Sequence, residues 1–241
     1  MERLISGARE LGFHLTPHQV EQFETYYQEL IQWNKQINLT AIVDYEEVQT
    51  KHFLDSLTVA LALEDGPPLS ASFRVIDVGS GAGMPGIPFK ILYPDVRLVL
   101  LDSVGKKTSF LRHVVAKLGP DFIGVEVLTA RAENLARENE HREAYDLVLS
   151  RAVAELPTLV ELTLPFCKIG GVFVAQKKGP IEEEIREAQK AIDLLGGLLR
   201  GVKRIKLGDL PEEHLLVVIE KVTPTPSRYP RRAGIPVKRP L

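Results

Sequence analysis

The chain has 241 residues, 44% hydrophobic and 26% charged, with a formal net charge of −2. That suits one α/β domain with an appendage and a sizeable core, and overall charge gives no argument for a polyanionic partner. A single cysteine, Cys167, excludes an internal disulfide and a cysteine-based metal centre; the residues of MERLISGARE lack a signal-peptide core, and no run approaches the roughly 18 apolar residues of a membrane span. The expectation is a cytoplasmic protein without a membrane role.

Residues 1–65 read as a helical extension. Thr16-Pro17-His18-Gln19 is a T-x-x-Q capping box with proline at the first helical position, and Val20, Phe23, Tyr27, Leu30, Ile31 and Ile37 follow at helical spacing. Asp44 and Glu47 form a second box ahead of Val48, Phe53, Leu54, Leu57 and Leu61. Gly66-Pro67-Pro68 then breaks the pattern. From Phe73, strand-like runs at 74–78, 97–101, 124–128, 145–149, 171–176, 200–206 and 214–221 alternate with helical stretches near 85–92, 104–118, 131–139, 156–166 and 181–196. Alternation of this kind predicts βαβ units and a mostly parallel, Rossmann-like sheet with helices on both faces over residues 73–222. The last two runs have no full helix between them, which predicts an antiparallel finish.

The glycine run IDVGSGAGMPGIP at 76–88 carries the most chemistry. A short strand enters a turn with Gly79, Gly81 and Gly83, too tight for Cβ atoms and open to close approach by a ligand. Asp77 stands before the first glycine, and Asp102 ends the next strand run. Acids at the ends of adjacent parallel strands suit a ligand with an amino group at one end and a ribose diol at the other, such as S-adenosylmethionine. Gly81-Ala82-Gly83-Met84-Pro85-Gly86 also satisfies the dinucleotide pattern G-x-G-x-x-G, with Asp102 near the ribose-acid distance. That reading starts three residues after the strand and leaves Gly79 and Asp77 unexplained, so a methyl donor is favoured over a nicotinamide cofactor.

The acceptor is narrowed by what the chain lacks. Cys167 is badly placed as a nucleophile for pyrimidine carbon methylation, and the turn Leu149-Ser150-Arg151-Ala152 lacks the Asn/Asp-Pro-Pro-aromatic pattern of exocyclic-amine methylation. Lys177 or Lys178 is only a weak base for a hydroxyl acceptor. A ring nitrogen such as guanine N7 presents a lone pair at neutral pH and needs no base. The histidines show no metal-ligand spacing, and no metal is expected. Residues 223–241, TPTPSRYPRRAGIPVKRPL, form a tail with five prolines, which forbid a regular helix. Arg228, Arg231, Arg232, Lys238 and Arg239 stand there with no acid from Arg228 onward, and Tyr229 lies among them. Such a tail suits RNA phosphates; the alternative is a strap packed on its own domain.

IDVGSGAGMPGIP, with WNKQINLTAI at 33–42, KHFLDSL at 51–57, LSRAVAEL at 149–156 and YPRRAGIPVKRPL at 229–241, closely resembles the bacterial RsmG methyltransferases, formerly glucose-inhibited division protein B. The resemblance covers nearly the whole chain. It implies a seven-stranded class I methyltransferase fold with an N-terminal helical extension, and S-adenosylmethionine-dependent N7 methylation of a guanosine in the decoding region of 16S rRNA, either free or in the 30S particle. It places Gly79, Gly81 and Met84 around the donor, Asp102 and Ser103 at the ribose, Ala132 and Glu133 beside the adenine, and Arg151 at the methionine end or the methyl-transfer site. Asp77 and Gly83 complete the expected donor set. Lys177-Lys178-Gly179 matches the family's Lys-Gly after the fifth strand, one lysine richer. Asn34, Lys35 and Asn38, with His52, Asp55 and Ser56, are expected either to roof the pocket over the target base or to cap helices and brace the two lobes. The expected division of labour is a donor held by the glycine turn and Asp102, and a tail serving RNA alone. A monomer is expected; a nicotinamide-dependent oxidoreductase and a non-catalytic RNA-binding protein are the alternatives.

Overall fold

The computed structural model describes residues 1–63, 69–151, 153–207 and 213–241. Its N-terminal part is helical. α1 (Glu2–Glu10) precedes α2 (Pro17–Ile37), which starts at the predicted capping box: Thr16 Oγ1 accepts from Gln19 N, and Gln19 Oε1 accepts from Thr16 N. Asp44 caps α3 (Tyr45–Val48) by accepting from Glu46 N and Glu47 N. The helix then widens to π geometry over Gln49–Leu54, returns as α4 (Asp55–Leu57) and tightens to 3-10 over Thr58–Leu63. Widened turns of this sort are frequent at functional sites; this one carries His52 and leads directly into Asp55. The expected break at Gly66-Pro67-Pro68, and the end of the extension at residue 65, lie outside the described residues.

Among the described residues, β1 (Arg74–Val78), β2 (Arg97–Asp102), β3 (Val125–Thr129), β4 (Tyr145–Arg151), β5 (Cys167–Lys178), β6 (Gly197–Ile205) and β7 (His214–Lys221) form one sheet in the order β3-β2-β1-β4-β5-β7-β6. The first five are parallel, and β7 runs antiparallel to both β5 and β6, as the missing helix between the last two runs predicts. The crossovers carry α5 (Gly86–Leu92), α6 (Gly105–Lys117), α7 (Ala132–Leu135), α8 (Leu156–Thr163) and α9 (Glu182–Leu194). α7 is a single turn where a helix over 131–139 is predicted. The Arg142 guanidinium takes the Ala136 carbonyl at 3.3 Å, and the chain turns away.

Strand alternation divides the core. Val75, Leu98, Leu100, Leu147 and Val174 face Phe23, Tyr26, Leu30, Phe53 and Leu57 of the N-terminal helices, together with α5 and α6. Ile76, Val78, Val99, Val148 and Phe173 face Leu159, Val160, Ala188 and Ile192 of α8 and α9. Each buried Val, Leu, Ile or Phe among them contributes roughly 1.5–3 kcal/mol of transfer free energy, so the helical extension, with α5 and α6, makes one of the sheet's two cover layers. The tail folds back over α8 and ends in a single turn, α10 (Ile235–Lys238), consistent with its proline content.

Candidate functional site

β1 has β2 on one side and β4 on the other, so the winding of the sheet reverses at its carboxyl end, where α/β sheets leave a crevice for ligands. The glycine turn fills that position. Gly79 has φ +77°, and a Cβ there would lie 2.4 Å from Val153 Cγ2, so conformation and space both demand glycine. Gly81 N donates to Asp102 Oδ2 at 2.9 Å, and Val104 N donates to Oδ1 at 2.8 Å. Asp102 thus fixes the turn to the end of β2 and keeps lone pairs for a ligand. Tyr26, reaching in from α2, donates its hydroxyl to Ala82 O at 2.5 Å and ties the turn to the N-terminal layer.

Asp77 does not line this crevice. It is fully buried beneath the turn, where Oδ2 accepts from Gly86 N at 3.0 Å at the start of α5. A Cβ on Gly86 would lie 2.8 Å from that same oxygen, so the approach depends on glycine. Oδ1 is buried without a hydrogen-bond partner. Burial pushes the Asp77 carboxyl up to about 7, against the Gly86 N–H and the Arg151 charge. The expected donor contact is corrected: Asp77 shapes the turn from below because strand alternation points it under α5.

A cavity of about 330 Å³ lies over the turn, lined by Gly79, Asp102, Ser103, Ala132 and Glu133 of the expected set. Lys107, Val153 and Val237 line it as well and were not singled out in the sequence. Lys107 had a signal in its place, one turn into the helix that follows Asp102. The cavity has what S-adenosylmethionine requires: a carboxylate with spare lone pairs for a diol, an open glycine backbone, and apolar walls from Val78, Ala132 and Val153. Gly81, Gly83, Met84 and Arg151 of the expected set lie outside this lining. Glu133 is already engaged, accepting from Gly234 N of the tail at 2.7 Å.

A second cavity of about 340 Å³ is bounded by Ile42, Lys51, His52, Asp55, Arg151, Gln176, Lys177 and Lys178. Arg151 joins it to the glycine turn. Its Nη1 is 3.1 Å from Asp55 Oδ2, and its Nη2 donates to Met84 Sδ at 3.0 Å. Asp55 Oδ1 meets His214 Nδ1 at 2.6 Å, and Gln176 Nε2 donates to Asp55 O at 2.6 Å. Burial pulls the Asp55 carboxyl upward, but the His214 hydrogen bond and the Arg151 charge outweigh it and hold the group below its ordinary value. Burial and the Arg151 charge push His52 down to about 4, so the ring is neutral at pH 7; its Nε2 lies 2.7 Å from Thr40 Oγ1. Gln176 Oε1 is buried without a partner. His214 and Gln176 were missed in the sequence, since both sit in apolar strands more than a hundred residues from Asp55.

The expected RNA contacts divide in two. Asn34 is committed to its own helix end, accepting from Leu39 N and Thr40 N at 2.6 and 2.9 Å and donating to Thr40 O; Asn38 is the left-handed C-cap of α2 with φ 47°. That corrects the reading of Asn34 as a base contact; Lys35 and Asn38 are exposed. Lys177 is paired with Glu184 and donates to Ala154 O at 2.7 Å, which removes it from the surface set, whereas Lys178 is exposed at the rim of the second cavity. In the tail, Arg231 is held by fully buried Glu161, with Nε 2.9 Å from Oε1, so it anchors the strap rather than facing RNA. Arg228, Arg232, Lys238 and Arg239 are exposed, Arg228 lying over the Tyr229 ring at 5.1 Å. Among the described residues no three His, Cys, Asp or Glu side chains converge as a metal site requires, and no helix is long and apolar enough to cross a membrane.

A structure of geranyl diphosphate methyltransferase in complex with S-adenosylmethionine superposes with a TM-score of 0.55 at 13% identity, covering 76% of this chain and 94% of that one. The fibrillarin pre-rRNA processing protein of Methanococcus jannaschii superposes with a TM-score of 0.52 at 14% identity, covering 70% and 76%. These likenesses show the fold, that of the class I methyltransferases. Curated proteins named ribosomal RNA small subunit methyltransferase G match at much higher identity: 49% in Dehalococcoides mccartyi strain BAV1 and 50% in Roseiflexus castenholzii, each over 100% of both chains. The family model for rRNA small subunit methyltransferase G matches residues 19–215, a span that contains the glycine turn, Asp102, Asp55 and Arg151. With the second cavity inside the matched span, the first inside it except for Val237, and relatives alike from end to end, the chain belongs to the rRNA small subunit methyltransferase G family.

Proposed function

We propose that this protein transfers a methyl group from S-adenosylmethionine to N7 of a guanosine in the decoding region of 16S rRNA. One observation carries the reading: Arg151, at the carboxyl end of β4, is bonded to Met84 of the glycine turn on one side and to Asp55 of the second cavity on the other. The first cavity takes the donor, with Asp102 accepting from the ribose hydroxyls, Ser103 beside it, and Ala132 and Glu133 along the adenine. The second takes the base. When bound, the donor supplies an electrophilic methyl group.

The chain's own residues position and balance charge. Guanine N7 attacks with its own lone pair, so no side chain has to remove a proton, and neutral His52 is not needed as a base. Guanine offers acceptors at O6 and N7 on that edge, where adenine offers a donor at N6. Arg151 donating to O6 selects guanine and leaves N7 free. Methylation makes the purine cationic, a change that an unpaired arginine opposes and a carboxylate favours. Asp55 supplies that carboxylate: it lines the base cavity and neutralises Arg151. Lys178 with Arg228, Arg232, Lys238 and Arg239 holds RNA phosphates, and the enzyme acts as a monomer in the cytoplasm, where ribosomes are assembled.

The relatives alike over the whole chain are named methyltransferases, so neither the oxidoreductase nor the non-catalytic alternative has a finding behind it. The test is transfer of tritium from labelled S-adenosylmethionine to 16S rRNA and to 30S particles, followed by digestion and nucleoside identification. Label in 7-methylguanosine supports the reading. Label in another nucleoside overturns the acceptor, and no label with donor binding intact overturns the activity.

A further inference from the structure

The strap at 225–241 is built in two parts of unequal strength. Its first part is locked down: Arg142 donates to Thr225 O at 2.8 Å and Tyr229 O at 2.9 Å, Arg137 donates to Pro230 O at 2.5 Å, and the Arg231 side chain grips buried Glu161. The second part lies along the donor cavity on three hydrogen bonds, one of them from Arg231 Nη2, which donates to Arg239 O at 2.7 Å. Gly234 N donates to Glu133 Oε1 at 2.7 Å, and Thr158 Oγ1 donates to Pro236 O at 3.2 Å. Val237 is part of the cavity wall and yet 63% exposed, with no layer behind it. Arg232 precedes this segment, Lys238 and Arg239 end it, and all three are exposed.

We propose that residues 234–238 are a donor-binding element, and that RNA phosphates taken by Arg232, Lys238 and Arg239 hold this wall shut over the donor. The inference rests on the reading of the two cavities given above. The cations and the wall share one short segment, so a phosphate that orders the cations also orders Val237 against the cavity. Linkage makes this reciprocal: whatever factor RNA adds to donor affinity, donor adds to RNA affinity. The tail therefore does not serve RNA alone, and the expected separation of donor and RNA functions is replaced by coupling.

The test titrates S-adenosylhomocysteine into the full-length protein by calorimetry, with and without 16S rRNA. Val237→Asp is expected to weaken binding at least fivefold without RNA; its exposure keeps the substitution out of the core, and a chain ending at Gly234 is the second variant, since it keeps the Arg231–Glu161 anchor. In the wild type, RNA is expected to tighten binding at least threefold, and the triple variant Arg232→Glu, Lys238→Glu, Arg239→Glu is expected to lose that gain. Unchanged affinity in both wall variants, no gain in the wild type, or a gain that survives the triple variant would each overturn the proposal. A wild-type protein that binds no S-adenosylhomocysteine takes the donor reading down with it, whereas normal wild-type binding with unaffected wall variants removes this inference alone.

Discussion

Asp55 and Arg151 are 96 residues apart in the chain, yet Asp55 Oδ2 and Arg151 Nη1 lie 3.1 Å apart between the N-terminal helices and the end of β4. The pair is mostly buried, with side-chain exposures of 5% and 17%. It joins the extension to the sheet and puts opposite charges at the proposed base cavity. Removing one partner leaves a buried charge uncompensated, which costs about 3–5 kcal/mol. Asp55→Ala is expected to lose that much stability in urea unfolding, because it takes the carboxylate from Arg151 and His214 together. A loss below 1 kcal/mol would show that the network does not brace the lobes.

Arg151 itself uses two guanidinium nitrogens in two directions, which a lysine ammonium on a shorter reach does not reproduce. Arg151→Lys keeps the charge opposite Asp55 and loses the contact with Met84. The expected outcome is a single-turnover rate down at least thirtyfold with S-adenosylhomocysteine affinity changed by less than threefold. Equal losses in both would place Arg151 in donor binding instead of at the reacting end.

Asp102 joins the proposed donor cavity to turn geometry, since its carboxylate receives Gly81 N and Val104 N while lining the cavity. Asp102→Ala removes the proposed ribose acceptor and releases the turn. Donor affinity is expected to fall tenfold or more, equivalent to at least about 1.4 kcal/mol, as read by calorimetry with S-adenosylhomocysteine. Asp102→Asn retains an acceptor oxygen and is expected to lose less.

Much of the fold was legible because strand and helix periodicities are local. All seven strand runs sit where alternation puts them, and the Thr16 box marks the start of α2 to the residue. Asp102 and the Ala132-Glu133 turn were legible as lining of the first cavity for a related reason: in a parallel sheet the residue ending a strand faces the crevice at the carboxyl end. Side-chain commitments were not legible. Asn34 looks like a surface polar group until its helix end folds back on it, and Lys177 and Lys178 are indistinguishable until strand alternation turns Lys177 toward Glu184. Arg231 reads as one of five tail cations because its partner, Glu161, lies inside the apolar helix α8 seventy residues away. Asp77 shows the limit most sharply, since being two residues before a glycine places it at the right end of β1 and on the wrong side of the turn.

Asp77 and His52 give the protein opposing responses to pH. The Asp77 carboxyl is raised from 3.8 to about 7, so the folded state holds its proton more tightly; its contribution to stability is complete below pH 3.8 and is lost as pH rises to about 7. His52 is lowered from 6.5 to about 4, so its contribution is complete above pH 6.5 and is lost as pH falls towards 4. Between pH 4 and 6.5 the two slopes oppose each other, each with a swing of at most about 3–4 kcal/mol at 1.36 kcal/mol per tenfold change in proton affinity. The wild type is therefore expected to be flatter across this window than either single variant. Asp77→Asn removes the falling limb and leaves stability rising with pH; His52→Gln removes the rising limb and leaves stability falling up to about pH 7. Urea unfolding at half-unit intervals reads both slopes. Parallel curves for the wild type and Asp77→Asn would mean that Asp77 is ionised in the folded protein throughout this range.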